Sequence, residues 1–229
     1  MDILLIAGLW LDGSAWDNVA TRLEARGHHA VPVTLPGQGD GNTSATLADQ
    51  SAEVVAAVDA AAGRPMVAGH SAACSLAWLA ADARPAKISK VALIGGFPSS
   101  DGEAYFDSSF PVQDGAVPFP GWDEFEGPDS ADLDDAAKRA IASAAIPVPQ
   151  GVTRGVIRLA DERRYDVPAV LVCPEFTAAQ AREWVDQGEA PELAKSKNVS
   201  YIDIDSGHWP MISAPAELAR LLAQAAEER

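Results

Sequence analysis

Short apolar runs recur along this chain, each followed by a longer stretch with helical periodicity, and that alternation restricts the fold more than any other feature. Ile3 to Ala7, His29 to Thr34, Met66 to Gly69, Val91 to Ile94, Ala169 to Val172 and Val199 to Ile204 read as strands. Ala15 to Arg26, Leu47 to Ala61, Ser71 to Ala83, Ala178 to Asp186 and Ala216 to about Glu227 read as helices. Gly27 closes the first helix as a left-handed residue, and Arg84-Pro85 ends the third. Strands that are apolar throughout need cover on both faces, and strands separated by helices pair in parallel. The expected class is therefore α/β, with a mostly parallel sheet of about six strands flanked by helices.

The rhythm breaks after the fourth strand. From Phe97 to Tyr165 no segment reads as a strand, and Ser99 to Ala137 holds many acids but no Lys or Arg. Ala131 to Ala145 has helical periodicity, and Val152 to Leu159 is a second helical candidate. The expected organisation is a core of residues 1–97 and 166–229, with a small helical cap, 98–165, inserted after the fourth strand. A chain of 229 residues suits one such domain.

Charge narrows the partners. Lys plus Arg total 17 against 33 Asp plus Glu, a formal charge of −16. Such a surface repels nucleic-acid phosphates and anionic membranes, so a small molecule is the expected partner, on a monomer or homodimer. Two cysteines, Cys74 and Cys173, are too few for a disulfide framework. They are expected to be buried free thiols in a reducing compartment, and the chain is expected to be cytoplasmic. Met1 to Ala7 lacks a basic leader and reads as a first strand, not as a signal peptide. No metal or cofactor is expected, because no Cys/His spacing suits zinc.

Val67-Ala68-Gly69-His70-Ser71-Ala72-Ala73 lies where a strand ends and a helix begins. A serine on such a sharp turn projects its hydroxyl into the crevice beyond the strand ends, where open α/β sheets bind ligands. Small residues two positions to either side, Gly69 and Ala73, let helix pass strand closely. The next amide, on Ala72, opens the helix and faces the same space. A serine that merely caps a helix would give the same local pattern, so the rest of the machinery decides. His208, in Ser206-Gly207-His208-Trp209-Pro210 after the last strand, shares the rim with Ser71 and is the candidate base. Glu175, after the fifth strand, is the candidate acid that orients it. Asp203, Asp205 and Asp101 are rivals for that place. Leu9, in the turn after the first strand, offers a second oxyanion donor beside Ala72. Trp10, His70, Trp122 and Trp209 are candidate substrate-binding residues. The insertion's Tyr105, Phe106, Phe110, Phe119 and Phe125, with Trp122, either pack it onto the sheet or line an apolar site.

With these residues in place, the sequence resembles the α/β-hydrolase superfamily over nearly its whole length. It looks closest to the compact branch that includes plant methyl esterases and hydroxynitrile lyases. Ile6-Ala7-Gly8-Leu9-Trp10, then Gly13-Ser14-Ala15-Trp16, is similar to the family's oxyanion turn. Leu35-Pro36-Gly37-Gln38-Gly39 is similar to its Leu-Pro-Gly-His-Gly loop. Gly69-His70-Ser71 and Gly207-His208-Trp209-Pro210 are similar to its elbow and histidine loop. Four positions depart from the pattern. Ala7 replaces a histidine, Thr34 an aspartate and Ala73 a glycine. Where the family places an aspartate beyond the fifth strand, this chain has Phe176 and Thr177, with Glu175 displaced by a residue or two. The resemblance also implies a first strand equivalent to the family's third, hence about six strands in place of eight.

The resemblance and the residues together imply a serine hydrolase of the carboxylesterase or lactonase type, acting through an acyl-enzyme on Ser71. A neutral, moderately apolar ester or lactone is the expected substrate. Two other functions fit the same residues: a carbon–carbon lyase resembling hydroxynitrile lyases, for which Lys138 is the one lysine of the insertion, and a non-catalytic small-molecule-binding homologue.

Overall fold

The structure is a computed structural model of the chain and describes residues 1–106 and 109–228. Six parallel strands form the main sheet: β1 (Asp2–Ile6), β2 (His29–Pro32), β3 (Met66–His70), β4 (Lys90–Ile94), β7 (Ala169–Cys173) and β8 (Val199–Asp203). Between β4 and β7, β5 (Ala116–Val117) and β6 (Val148–Pro149) form a separate antiparallel pair. The main sheet runs β2-β1-β3-β4-β7-β8. From β1 the chain goes outward to β2 and then crosses back to β3. The strand order therefore reverses between β1 and β3, and the crevice beyond their C-terminal ends is the natural ligand position.

Alternation along each strand divides the core into two layers. Leu4 and Ile6 of β1 join Val67, Leu93 and Leu171 on one face, against α2 (Leu47–Ala60) and α3 (Ala73–Ala83). Ile3 and Leu5 join Met66, Ala92 and Val170 on the other, against α1 (Asp17–Glu24) and α9 (Pro215–Glu227). Helix entry follows local chemistry. Asp12 caps a 3₁₀ turn, Gly13–Trp16, that leads into α1. Thr46 and Asp49 make a reciprocal capping box at α2, and Thr177 and Gln180 make one at α6 (Ala178–Gln187). A buried knot closes the far side of β7: Arg164 binds Asp82 of α3 at 3.1 Å and Glu192 of α7 (Pro191–Ala194) at 2.9 Å, and Trp78 Nε1 donates to the same Glu192 at 3.0 Å.

The insertion differs from expectation in three places. The β5–β6 pair is only two residues a side and ends in Pro149, too short to leave a period in the sequence. Helix α4 (Asp135–Ala144) begins four residues late, because Asp134 caps it by accepting from the Ala137 amide at 2.8 Å. Val152 to Leu159 is not a helix. Only α5 (Gln150–Thr153) forms, after which Gly155 packs against Leu47 where a side chain would collide, and the Ile157 amide bonds the Glu103 carbonyl. Among the described residues, no helix is long and apolar enough to cross a membrane.

Candidate active site

The turn after β3 carries Ser71 at φ +55°, in the left-handed region that a non-glycine residue rarely adopts. The surroundings hold it there. The Ser71 amide donates to the Ile94 carbonyl at 2.8 Å, and its own carbonyl accepts from the Cys74 amide at 2.9 Å as α3 begins. A Cβ on Gly69 would collide with the Ala73 carbonyl, so the close helix–strand approach falls on Gly69. Ala73 adds its methyl to the core, which is why alanine is tolerated where the resembling family has glycine.

The structure brings Ser71, His208 and Glu175 together from three strand ends. Ser71 Oγ lies 2.9 Å from His208 Nε2, and His208 Nδ1 lies 2.8 Å from Glu175 Oε1. With these partners, Nδ1–H donates to the carboxylate and Nε2 is left as the acceptor that faces the Ser71 hydroxyl. The His208 and Glu175 side chains are 15% and 16% exposed, sheltered enough to strengthen their attraction yet open to a small molecule. Gly95, at the end of β4, leaves the room they need: a Cβ there would lie 3.3 Å from Glu175 Oε2 and 3.4 Å from His208 Nδ1.

Asp205 is exposed, and the other two rival carboxylates are bound elsewhere. Asp203 Oδ1 accepts from the Ala178 amide at 2.6 Å at the start of α6, and Asp101 Oδ1 accepts from the Leu159 amide at 2.9 Å. Cys74 and Cys173 are buried and free, and burial pushes both thiols up to about 12. Neither is a thiolate at neutral pH.

His70 is fully buried beside the elbow. Its Nε2 donates to the His208 carbonyl at 2.7 Å, and its ring lies 4.9 Å from that of His208. Burial, and then the neighbouring His208 charge, lowers its pKa to about 3. His70 is therefore neutral, with the proton on Nε2.

A cavity of about 250 Å³ opens over Ser71, walled by Leu9, Trp10, His70, Phe106, Phe110, Phe125, His208 and Trp209. Trp10 is its apolar floor. It makes edge or tilted contacts with Phe106, Phe110, Phe119 and Phe125 at 5.6–6.1 Å, and its Nε1 donates to the Val117 carbonyl at 3.1 Å. Trp122 stands one layer back. It packs edge-on against Trp209 at 5.2 Å, and its Nε1 donates to the Lys138 carbonyl. Tyr105 is buried against the core, outside this wall. Lys138 holds its ammonium over the Trp122 ring, 5.6 Å from the centroid, and does not reach the cavity.

Leu9 lines the same cavity as Ser71, and Ala72 follows Ser71 in sequence as the residue that leads into α3. Neither amide is used in the backbone hydrogen bonds of the described turns and loops. What holds the Leu9 turn is a residue whose sequence signal was its departure from a motif. Gln38, 1% exposed, donates from Nε2 to the Gly8 carbonyl at 2.9 Å and to the Leu11 carbonyl at 2.6 Å. Its Oε1 accepts from Gln50 at 2.9 Å, and Gln50 also donates to the Pro36 carbonyl. Gln38 stands where the resembling family has histidine, and it anchors a turn in which Ala7 has no polar side chain to contribute. Gly95 also escaped the sequence reading, although a glycine pair at the end of a strand is a visible sign of close approach. Among the described residues, no group of three or more His, Cys, Asp or Glu side chains is arranged to hold a metal ion.

The sequence model of the family described as the alpha/beta hydrolase family matches residues 3–221. No curated protein matches the chain. Solved structures share the fold throughout. An extracellular alpha/beta-hydrolase from a Paenibacillus species, with structural and functional homology to tobacco salicylic acid binding protein 2, is 18% identical with a TM-score of 0.78, over 100% of both chains. A methylesterase from Arabidopsis is 16% identical with a TM-score of 0.77, over 99% of this chain and 98% of its own. A pyrethroid hydrolase from Sphingobium faniae is 22% identical with a TM-score of 0.73, over 99% and 97%.

Proposed function

This chain belongs to the alpha/beta hydrolase family, and from that premise we propose that it is a serine hydrolase that cleaves a small, neutral, apolar ester or lactone through an acyl-enzyme on Ser71. The observation that carries this reading is His208, poised between the Ser71 hydroxyl at 2.9 Å and the Glu175 carboxylate at 2.8 Å on one rim of the sheet. In the first step Ser71 Oγ attacks the acyl carbon and its proton passes to His208 Nε2. Glu175 stabilises the imidazolium that results. The Leu9 and Ala72 amides donate to the oxyanion. His208 then returns its proton to the departing alkoxide. In the second step His208 takes a proton from water, the hydroxide adds to the acyl carbon, and Ser71 leaves with the proton restored.

The cavity supports the substrate class. Its walls are mostly aromatic, with no Lys or Arg among them to bind an anion. At about 250 Å³ it falls below the usual 300–1,000 Å³ of small-molecule pockets, which favours a compact substrate. The methylesterase and the pyrethroid hydrolase among the fold relatives agree with ester cleavage. The lyase reading loses support, because Lys138 is spent on Trp122 and lies outside the cavity. Hydrolysis of short p-nitrophenyl esters, with labelling of Ser71 by a fluorophosphonate, tests the proposal. Ser71→Ala is expected to lower kcat by on the order of 10⁴–10⁶ and to abolish labelling. An unlabelled wild-type protein, or full activity without the hydroxyl, overturns it.

A further inference from the structure

His208 can serve as a base only if its backbone is fixed, and the chain around it is a loop with little regular structure of its own. Three backbone groups of that loop are nevertheless tied to other parts of the chain. The His208 carbonyl accepts from His70 at 2.7 Å. The other two bonds run to the insertion. The His208 amide donates to the Asp129 carbonyl at 2.8 Å, and the Gly207 amide donates to Asp132 Oδ2 at 2.7 Å. The same carboxylate oxygen accepts from Ser206 Oγ at 3.3 Å. The fit leaves no spare room: a Cβ on Gly207 would collide with both the Asp129 carbonyl and the Asp132 carboxylate. Glycine at 207 is thus explained by the approach of the insertion and not by the conformation of the loop alone.

The clamping segment is tied by hydrogen bonds of its own, and it is continuous with the cavity wall. The Ala131 amide bonds the Gly127 carbonyl at 3.0 Å, the Leu133 amide bonds Ser130, and Leu133 is buried. Ser130 Oγ donates at 2.7 Å to the carbonyl of Phe125, whose ring lines the cavity and meets Trp209 at 5.2 Å. One short stretch therefore touches the ligand space through Phe125 and the loop of the base through Asp132.

We infer that Asp132 is a positioning residue for His208, so that the base is held in register with Ser71 only while the insertion is docked on the histidine loop. The inference rests on the serine hydrolase reading. Loss of the Asp132 acceptor leaves the hydroxyl, the base and the acid chemically intact, but frees the Gly207 amide and lets the imidazole wander. Misplacement by about 1 Å is enough to lower a rate roughly 100-fold. The Trp10, Phe106, Phe110 and Phe125 walls keep their own contacts, so binding changes less than turnover. Asn at 132 still offers an amide oxygen to Gly207, without the charge.

The test compares wild type, Ser71→Ala, Asp132→Ala and Asp132→Asn on one p-nitrophenyl ester, with thermal unfolding of each. The expected result for Asp132→Ala is a kcat about 10- to 100-fold lower, with KM within about threefold and slower fluorophosphonate labelling. Asp132→Asn is expected to recover most of kcat. If Asp132→Ala proves unstable, Asp132→Glu carries the same question. Its longer side chain moves the acceptor, and kcat is again expected to fall. Absence of hydrolysis in the wild type, or its survival in Ser71→Ala, would overturn the parent reading. An active wild type with Asp132→Ala at the same kcat, an effect confined to KM, or an asparagine variant as impaired as the alanine one would overturn this inference alone.

Discussion

Replacing Gln38 with leucine tests how the proposed oxyanion turn is held. The change keeps roughly the same volume in a site that is 1% exposed, but removes both donors. The Gly8 carbonyl keeps only a long contact from the Leu11 amide, at 3.4 Å, and the Leu11 carbonyl loses the Gln38 bond of 2.6 Å. Gln50 loses one acceptor but retains the Pro36 carbonyl at 2.8 Å. One buried carbonyl left without its partner costs about 1–3 kcal/mol, and the weakened second one adds about 1 kcal/mol. The total is about 2–4 kcal/mol, or a fall in Tm of roughly 4–16 °C for a chain of this size. The rate effect has its own ceiling. Complete loss of one oxyanion donor lowers kcat on the order of 10²–10³-fold. The turn stays tethered by Trp10 Nε1 to Val117 and by the Ile146 amide to the Trp10 carbonyl at 2.9 Å, so Leu9 is displaced and not lost. The expected fall in kcat is therefore roughly 10- to 100-fold, with a smaller change in KM. Steady-state kinetics on a p-nitrophenyl ester and differential scanning calorimetry measure the two effects. A variant with lowered Tm but wild-type kcat would show that the turn does not depend on Gln38 for its alignment. An unchanged Tm would show that the two bonds contribute nothing.

The remaining expectations concern the acid, the buried histidine and the cavity wall. Glu175→Gln is expected to lower kcat on the order of 10³–10⁴-fold, while Asp203→Asn, at the start of α6, leaves kcat within about threefold; equal losses in the two would reopen the choice of acid. His70, held at about 3 when folded, binds a proton more readily in the unfolded chain, where its value is about 6.5. Its contribution to stability is thus complete above pH 6.5 and declines as pH falls through that value toward 3, by up to about 1.4 kcal/mol per pH unit. Chemical denaturation between pH 7 and pH 4.5 should show that decline, and His70→Gln should flatten it; parallel slopes would contradict the assignment. Phe106→Ala opens the wall beside Trp10 and should shift the preferred acyl chain toward longer esters, seen as a rise in kcat/KM for hexanoate over acetate; an unchanged chain-length profile would place the acyl group elsewhere.

The four central strands were legible because they are buried on both faces and nearly apolar throughout, as in Met66 to Ala68 or Ala169 to Val172, whereas the edge strands β2 and β8 are partly exposed. Parallel pairing puts all their C-terminal ends on one rim, and this made Ser71, Glu175 and His208 neighbours on paper. The insertion was less legible for the converse reason. Apart from α4, its order comes from contacts made across the sequence, such as Ile157 to Glu103 and Val117 to Trp10, and not from a local period. Trp122 shows the limit for side chains: composition marked it as an aromatic of the insertion, but only the bond from its Nε1 to Lys138 decides that it stands behind the wall and not in it.

Three of the four departures from the familiar pattern share one physical explanation, and nothing in the structure explains the exposed Thr34. A motif records side chains, whereas the site needs backbone groups in fixed places. The turn that presents Leu9 needs its carbonyls bound, and Gln38 from the next loop binds them although Ala7 cannot. The elbow needs one residue without a side chain where helix crosses strand; Gly69 fills that role, which frees position 73 to be alanine. The acid needs a carboxylate oxygen near 2.8 Å from His208 Nδ1. The longer glutamate reaches it from position 175, one or two residues before the family's usual place, provided Gly95 opposite leaves the space. Each change is matched by a partner elsewhere in the chain, so the substitutions should be tolerated only in pairs. Restoring a histidine at Ala7 while Gln38 remains is accordingly expected to crowd a residue that is 2% exposed and to lower both Tm and kcat, measured against wild type. A fully active, equally stable Ala7→His protein would show that the turn has slack the packing does not reveal.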